Sequence, residues 1–331
     1  MHLRSEDISI GVTVYRRLDF LAEALTSAVN QSVPVQVHLH DDGCTDRAGL
    51  QRILDQFGDR VRYFRNAQTL GLFQNMNECI WNSPTPWVSV LHDDDVLERN
   101  FVANILEVAP QVEKCTLFCG GTTYIDKAGK PFYLKSPARG TVWKQIPPEL
   151  QAVENQLAFP GQLMHVETAK RLGGFPGNSV YTGDWDLWFR LTAEGGAVQL
   201  GANVARYRSH FGADRGTTAA SKSGRKVPGC AAQVKKNLAH LRRLGIQTRF
   251  DRRTWAQTYG PTYRDLLAYS WKMPRWLLRY NRKLLLLAVP QSRAAKLLHW
   301  VSKISGNTGL RVAGLARIAL ENMGYKMPQA F

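Results

Sequence analysis

The sequence predicts an α/β protein with a doubly wound, mostly parallel sheet, followed by a basic helical C-terminal region. Over residues 1–125, short β-rich runs alternate with longer amphipathic runs. This βαβ alternation is typical of a parallel sheet with helices on both faces. The balance of charge then changes sharply after residue 221. We therefore expect two domains, residues 1–221 and residues 222–331.

The elements of the front domain follow from the spacing of its apolar residues. Runs rich in β-branched residues predict four strands, at residues 8–14, 35–40, 61–65 and 87–91. Apolar residues at helical spacing predict three intervening helices, at residues 18–31, 47–58 and 72–82.

Two acidic clusters follow two of these strands. Asp41 and Asp42 come after the second strand, and Asp93, Asp94 and Asp95 come after the fourth. The carboxyl ends of parallel strands meet at one edge of a sheet, where ligands bind. Three adjacent carboxylates repel one another unless a cation lies among them, and Mg²⁺ and Mn²⁺ prefer such ligands. Helix capping by the triplet and a tight Asp-Gly turn at Asp42 remain open alternatives.

Several other classes of site find no support. The sequence has neither G-x-G-x-x-G nor G-x-x-x-x-G-K-[ST], so we expect a bridging cation to hold phosphate. Its five cysteines are widely spaced and form no C-x-x-C pair, which argues against a disulfide framework and a zinc site. Neither a signal peptide nor an apolar run long enough to span a bilayer is evident. We expect a cytoplasmic protein or one on the cytosolic face of a membrane.

The back domain is strongly basic. Residues 222–331 contain 22 Lys and Arg against three acids, whereas residues 1–221 carry a net charge of −3. Residues 274–290 and 293–304 read as basic amphipathic helices with Trp and Tyr, which suits an anionic membrane surface. Packing of these helices on the front domain is the alternative. A nucleic-acid partner is not expected, because no recognised motif accompanies the charge.

Seven segments, from about residue 7 to residue 215, resemble in order the landmarks of glycosyltransferase family 2. They are SIGVTVYRRLDFLAEALTSAVNQS, VHLHDDGCTD, TLGLFQNMNECI, WVSVLHDDDVL, VETAKRLGGF, GDWDLWFRL and YRSH. The resemblance implies a GT-A fold and an inverting transferase that uses a nucleotide diphosphate sugar. It also implies Mn²⁺ or Mg²⁺ as cofactor.

The resemblance assigns roles to particular residues. Asp184 is the implied general base, and the implied metal ligands are Asp94, with Asp95 as helper or helix cap, and His210. The residues implied to bind the donor nucleotide are Thr13, Tyr15, Arg17, Asp41, Asp42, Asn77, His92 and Asp93. Arg208 and Arg215 are implied to contact the diphosphate, and Trp185 and Asp186 the acceptor.

Three positions depart from the family pattern. His92 stands where the first Asp of D-x-D is usual, Met76 replaces an Arg, and Gly183 replaces a Glu. The function we expect is transfer from a UDP- or dTDP-sugar to a lipid-linked or polysaccharide acceptor, in bacterial cell-surface glycan synthesis on the inner face of the membrane. A nucleotidyltransferase would want a glycine-rich, lysine-bearing first loop, and a nucleic-acid-binding protein would rest on the basic tail alone. The oligomeric state is left open.

Overall fold

The computed structural model describes residues 1–135, 140–177, 182–210 and 226–247, and residue 308. The described residues divide into two compact units. The first contains most of residues 1–210, and the second contains residues 226–247 with residues 152–154 and Thr182.

The described strands all belong to one sheet. They are β1 (Ile8–Val14), β2 (Gln36–Asp41), β3 (Val61–Arg65), β4 (Trp87–His92), β5 (Val96–Leu97), β6 (Leu117–Ile125), β7 (Pro131–Lys135), β8 (Trp143–Ile146), β9 (Leu163–His165) and β10 (Ala197–Arg208). The helices are α1 (Leu21–Val29), α2 (Arg47–Asp55), α3 (Leu72–Trp81), α4 (Phe101–Val108), α5 (Pro148–Val153), α6 (Val166–Arg171), α7 (Gly183–Gly195) and α8 (Lys226–Arg243). Short 3₁₀ turns lie at Ser5–Asp7, Gly58–Arg60 and Ala109–Gln111.

The strand order is β3-β2-β1-β4-β9-β6-β10-β5, with β7 beside β6 and β8 beside β10. Strands β3, β2, β1 and β4 are parallel, as the alternating pattern predicts. Beyond β4 the sheet is mixed, because β9 runs antiparallel to both β4 and β6. The mostly parallel arrangement expected from the sequence therefore describes the front half, and the sheet as a whole is mixed.

The register brings three strand ends together. Thr13 of β1 pairs with His92 of β4, and Val14 of β1 pairs with Asp41 of β2. The acidic segments that follow β2 and β4 consequently open on the same edge of the sheet, as predicted.

Strand β1 is the centre of the packing. All seven of its residues are buried, and helix α3 lies directly against it. A Cβ atom at Gly11 would stand 2.7 Å from Cys79 Cβ and 2.8 Å from His38 Cε1. Glycine at this position thus permits the close approach of α3 and β2 side chains.

In the second unit, α8 has one buried side and one basic side. Gln233, Val234, Asn237 and Leu241 are buried, and Asn237 Nδ2 donates to the carbonyl of Ala152 at 3.1 Å. Exposed Lys and Arg occupy the other side. Over the described part of the chain, we find no helix with the length and apolarity to cross a bilayer. The helices predicted at residues 274–290 and 293–304 lie outside the described residues.

Candidate active site

The acid loop, residues 93–95, forms a turn between β4 and β5. The backbone N–H of Asp95 donates to the His92 carbonyl at 3.4 Å. Strand β5 follows, and α4 begins only at Phe101, with Asn100 at its N-cap position. The helix-cap alternative for Asp95 is therefore wrong, because a strand intervenes.

Asp95 anchors the acid loop from within the fold. Its side chain is buried, and Oδ1 accepts the backbone N–H of Arg208 at 2.8 Å. Oδ2 has no hydrogen-bond partner among the described residues. Burial, and then the charge of Asp94, raises the pKa of Asp95 well above its ordinary value.

Asp93 and Asp94 share one cation. Arg17 Nη2 donates to Asp93 Oδ1 at 3.0 Å and to Asp94 Oδ2 at 2.7 Å. His210 Nε2 lies 2.8 Å from the same Asp94 oxygen and 3.1 Å from Arg17 Nη1. A carboxylate oxygen and an imidazole nitrogen, from segments 116 residues apart, therefore converge on one positive group.

The two carboxyl groups differ in acidity. Burial and the neighbouring Asp94 charge raise the pKa of Asp93 to about 7. Burial also opposes ionisation of Asp94, but the charge of Arg17 and the hydrogen bonds of Asp94 with His210 and Arg17 more than offset it, and the pKa of Asp94 lies below its ordinary value. Asp94 is consequently the carboxylate that stays ionised.

The residues at this position fit a divalent cation. Asp94 Oδ2 and His210 Nε2 are both ligand atoms that Mn²⁺ accepts, and Mg²⁺ accepts the carboxylate. Both already face a single positive charge. Asp94 and His210 are thus the pair that could hold the metal that the family resemblance implies.

Asp184 lies in the first turn of α7 and is partly accessible. Its Oδ1 accepts the backbone N–H of Trp185 at 2.7 Å, and its Oδ2 accepts Asn155 Nδ2 at 3.3 Å. Burial raises the pKa of this carboxyl above its ordinary value. A carboxylate that is oriented, partly accessible and more basic than usual is suited to accept a proton.

The chain is similar to known proteins in both sequence and fold. The model of the family described as Glycosyl transferase family 2 matches residues 9–167. Residues 9–167 form a glycosyltransferase family 2 domain. An uncharacterized glycosyltransferase of Rickettsia conorii is 26% identical over 187 residues, covering 56% of this chain and 31% of its own length. One from Rickettsia typhi is 25% identical over 192 residues, with coverages of 56% and 58%. The chain thus aligns with less than two thirds of either relative.

The solved structures show the fold. The crystal structure of S. aureus TarS 1–349 in complex with UDP-GlcNAc matches with a TM-score of 0.54 at 11% identity, over 97% of this chain and 93% of that one. The TarS 1–349 complex with UDP matches with a TM-score of 0.52 at the same identity and coverage. The glycosyltransferase domain therefore has the GT-A fold that the motifs predict.

Two departures from the family pattern, at His92 and Gly183, have structural counterparts. His92 lies against Phe159 at a ring-centroid distance of 4.1 Å and 3.4 Å from Thr13 Oγ1. Burial lowers the pKa of His92 to about 4, so a neutral ring replaces the usual carboxylate. At Gly183, an added Cβ would stand 2.4 Å from the Phe73 ring. Phe73 fills the space that a larger side chain at Gly183 would need.

Asp41, the last residue of β2, holds the loop that follows this strand. Its carboxylate is fully buried. Oδ1 accepts the backbone N–H groups of Gly43 and Cys44 at 2.9 and 2.6 Å, and Oδ2 accepts Arg47 and Tyr63 at 2.9 and 2.7 Å. Within the described residues Asp41 therefore shapes the loop after β2, and its contact with a base stays a prediction.

The carboxylate of Asp42 also accepts several hydrogen bonds from the protein. Oδ1 accepts Asn66 Nδ2 and the Leu70 N–H, and Oδ2 accepts the Gly71 N–H, at 2.7 to 2.9 Å. Next to this loop, Tyr15 is 38% exposed, with the Arg16 guanidinium 4.7 Å from its ring centroid. Among Tyr15, Asp41 and Asp42, all predicted to bind the nucleotide, Tyr15 is the most accessible.

Three predicted contacts fall on buried side chains. Asn77 exchanges two hydrogen bonds with the backbone of Phe175, at 2.9 and 2.7 Å. Trp185 is 2% exposed and donates to the Gln151 carbonyl, and Asp186 is 1% exposed and pairs with Arg190 at 2.7 Å. The fold already engages these groups, and the direct ligand contacts expected for them stay predictions.

Arg208 also faces inward. It is 3% exposed, and its guanidinium donates to Glu23 at 2.6 Å and to the Asp94 carbonyl at 2.9 Å, over the ring of Phe20 at 4.3 Å. Arg208 thus holds the acid loop, and the direct diphosphate contact expected for it stays a prediction. Arg215 lies outside the described residues.

Some site residues carry no motif signal. Tyr124 packs on Tyr207 at a centroid distance of 5.0 Å. Burial, then Tyr133, Asp95 and Asp184, raise the pKa of Tyr124 to about 12. The charges of Asp95 in the acid loop and of Asp184, the predicted base, therefore both act on Tyr124. Sequence spacing does not single out Tyr124 or Asn155, because each acts on a residue far along the chain.

A second cluster of possible metal ligands lies inside the sheet. His38, His40 and Cys79 are buried, with one ligand atom from each within 4.8 Å of the others. His38 Nδ1 and His40 Nε2 are 2.9 Å apart. Burial lowers the pKa of His38 to about 3 and that of His40 to about 4, and raises that of the Cys79 thiol. The pair of imidazoles is therefore neutral.

Proposed function

We propose that this chain is a metal-dependent, inverting glycosyltransferase. Its donor is a UDP- or dTDP-sugar, and its acceptor is a hydroxyl of a lipid-linked or polysaccharide glycan in bacterial cell-surface synthesis. The observation that carries the proposal is the convergence of Asp94 Oδ2 and His210 Nε2, 2.8 Å apart, at the carboxyl edge of the sheet. UDP-GlcNAc, the ligand of the TarS crystal structure, supports a uridine nucleotide.

Asp94 and His210 would hold the cation. When bound, Mn²⁺ or Mg²⁺ supplies Lewis-acid stabilisation of the negative charge that develops on the departing diphosphate. The chain contributes the placement of these ligands: Asp95 and Arg208 fix the backbone of the acid loop from behind.

Asp184 would take the proton of the acceptor hydroxyl. An alcohol is a poor nucleophile at neutral pH, so a carboxylate within hydrogen-bond reach must accept its proton as attack proceeds. Asn155 and the N–H of Trp185 orient the two oxygens of Asp184. Attack assisted in this way, opposite the leaving diphosphate, inverts the anomeric centre.

Isothermal titration of UDP, dTDP, GDP and ADP with Mn²⁺, Mg²⁺ or EDTA tests the proposal. We expect UDP or dTDP to bind with the metal and to lose at least about tenfold in affinity in EDTA, a difference of about 1.4 kcal/mol. Asp94→Asn should remove this metal dependence. Asp59→Asn changes an exposed acid in a surface 3₁₀ turn and should behave as wild type. Equal nucleotide affinity of wild type and Asp94→Asn in Mn²⁺ would refute the metal assignment.

A further inference from the structure

We infer that Arg17 is a resident cation of the acid loop that must leave before the metal binds. Its guanidinium lies beside Asp94 and His210. The inference rests on the metal site proposed above and adds a residue that controls when that site loads.

The contacts of Arg17 use the atoms that a metal would need. Its Nη2 is 2.7 Å from Asp94 Oδ2, and its Nη1 is 3.1 Å from His210 Nε2. An imidazole nitrogen has one lone pair. If His210 Nε2 accepts from Arg17, that lone pair is used; if Nε2 instead donates to Asp94, it has no lone pair to offer. In either protonation pattern His210 cannot ligate a metal while this network persists.

Arg17 also neutralises the charge that would attract a metal. It bridges Asp93 and Asp94, whose side chains are only 11% and 13% exposed. Opposite charges at this separation stabilise one another strongly when water is partly excluded. Without Arg17, the Asp94 carboxylate and the Asp93 carboxyl group would lie side by side with no guanidinium between them.

Arg17 is able to move. Its side chain is 36% exposed and lies in the loop between β1 and α1. Rotation toward solvent would free Asp94 Oδ2 and His210 Nε2 together. A nucleotide diphosphate arriving with its cation would offer the released guanidinium an anionic partner. Metal loading would therefore be coupled to donor binding, and the free enzyme would bind free Mn²⁺ weakly.

The neighbouring Arg16 supplies a matched control. It is exposed and lies over the Tyr15 ring at 4.7 Å, so its removal takes away one positive charge from the same loop. Arg17→Lys is a second control, because it keeps the charge and loses the planar fork.

The test is a titration of nucleotide-free enzyme with Mn²⁺. Electron paramagnetic resonance measures the concentration of free Mn²⁺ at each step of the titration. We expect Arg17→Gln to bind Mn²⁺ at least about tenfold more tightly than wild type, since an opposite charge at this distance typically shifts an ionic equilibrium by one to three decades. Arg16→Gln should match wild type, and Arg17→Lys should lie nearer to wild type than to Arg17→Gln. Equal or weaker Mn²⁺ binding by Arg17→Gln would overturn the inference.

Thermal unfolding checks the folded state of each variant. In EDTA, Arg17→Gln should melt below wild type because two carboxylates lose their partner, and Mn²⁺ should raise its Tm more than that of wild type. Adding Asp94→Asn to Arg17→Gln should abolish the gain. If wild type binds UDP with Mn²⁺ dependence but Arg17→Gln gains nothing, the inference fails and the proposed function stands. If no variant binds Mn²⁺ with or without UDP, both fail.

Discussion

The backbone N–H of Arg208 donates to Asp95 Oδ1 over 2.8 Å and joins β10 to the acid loop 113 residues earlier. The guanidinium of Arg208 donates hydrogen bonds to the Asp94 carbonyl and to the carboxylate of Glu23. The position of the predicted metal ligand Asp94 thus depends on a strand from the far end of the domain.

Loss of Arg208 should therefore destabilise the domain. We expect Arg208→Met to lower the free energy of unfolding by about 2–4 kcal/mol, because the Asp94 carbonyl would lose its donor and the buried guanidinium would lose its contact with the Phe20 ring. Arg206→Met removes an exposed arginine that pairs with Glu98 and should cost less than about 1 kcal/mol. Urea unfolding of the two variants measures the difference, and equal costs would contradict a buried anchoring role for Arg208.

Replacement of Asp184 should affect transfer and spare donor binding. We expect Asp184→Asn to reduce kcat by about 10²–10⁴, the usual contribution of general acid–base catalysis, with unchanged affinity for the nucleotide. Steady-state transfer assays and nucleotide titrations separate the two quantities. Turnover close to wild type would leave Asp184 with only its place in the first turn of α7.

Asn155 should set the acid limb of the pH profile. Its hydrogen bond lowers the pKa of Asp184 and partly counters the effect of burial. Asn155→Ala should raise that pKa further, and since the base acts when ionised, the rise in kcat with pH should move to higher pH. The profile of kcat against pH measures the shift. A limb that stays in place or moves to lower pH would separate Asn155 from the base.

The neutral histidines of β2 should make the fold sensitive to acid. The pKa values of His38 and His40, about 3 and about 4, lie below their ordinary 6.5. The unfolded chain therefore binds protons near pH 6.5 that the folded chain refuses, and stability is lost as pH falls from about 7 toward 4.

Replacing both histidines tests this sign. The variant His38→Leu, His40→Leu should lose less Tm than wild type between pH 7 and pH 4, whereas His2→Gln, which changes an exposed histidine, should keep the wild-type dependence. The carboxyls with raised pKa values act in the opposite direction in both proteins, so the difference between the curves isolates the pair. Parallel curves would contradict the prediction.

The basic C-terminal region should bind anionic vesicles. With 22 Lys and Arg against three acids in residues 222–331, the intact protein should co-sediment with anionic vesicles more than with neutral ones. Rising salt should weaken the binding, because each basic residue near the surface contributes about 1 kcal/mol that ions screen. A parallel arm with duplex DNA tests a nucleic-acid partner. Equal retention on neutral and anionic vesicles would contradict the electrostatic interaction.

The sequence by itself determined the front half of the sheet. Strand β1 has the predicted bounds, and β2 to β4 lie within one residue of theirs, because strand and helix periodicities are local properties of the chain. The same local order placed the acidic clusters at the carboxyl edge. Antiparallel β9 escaped prediction because three residues, Leu163–His165, carry too short a pattern.

Only the tertiary structure decided what each site residue touches. The resemblance to the family singled out Arg17, Asp94, Arg208 and His210, but the pairings among them join residues 77 to 193 positions apart. Burial separated Asp94, which ionises, from Asp95, which the fold keeps as a buried anchor. The periodicity of apolar residues predicts which side chains are buried. Charge pairing and pKa depend instead on distances between residues that only the folded chain brings together.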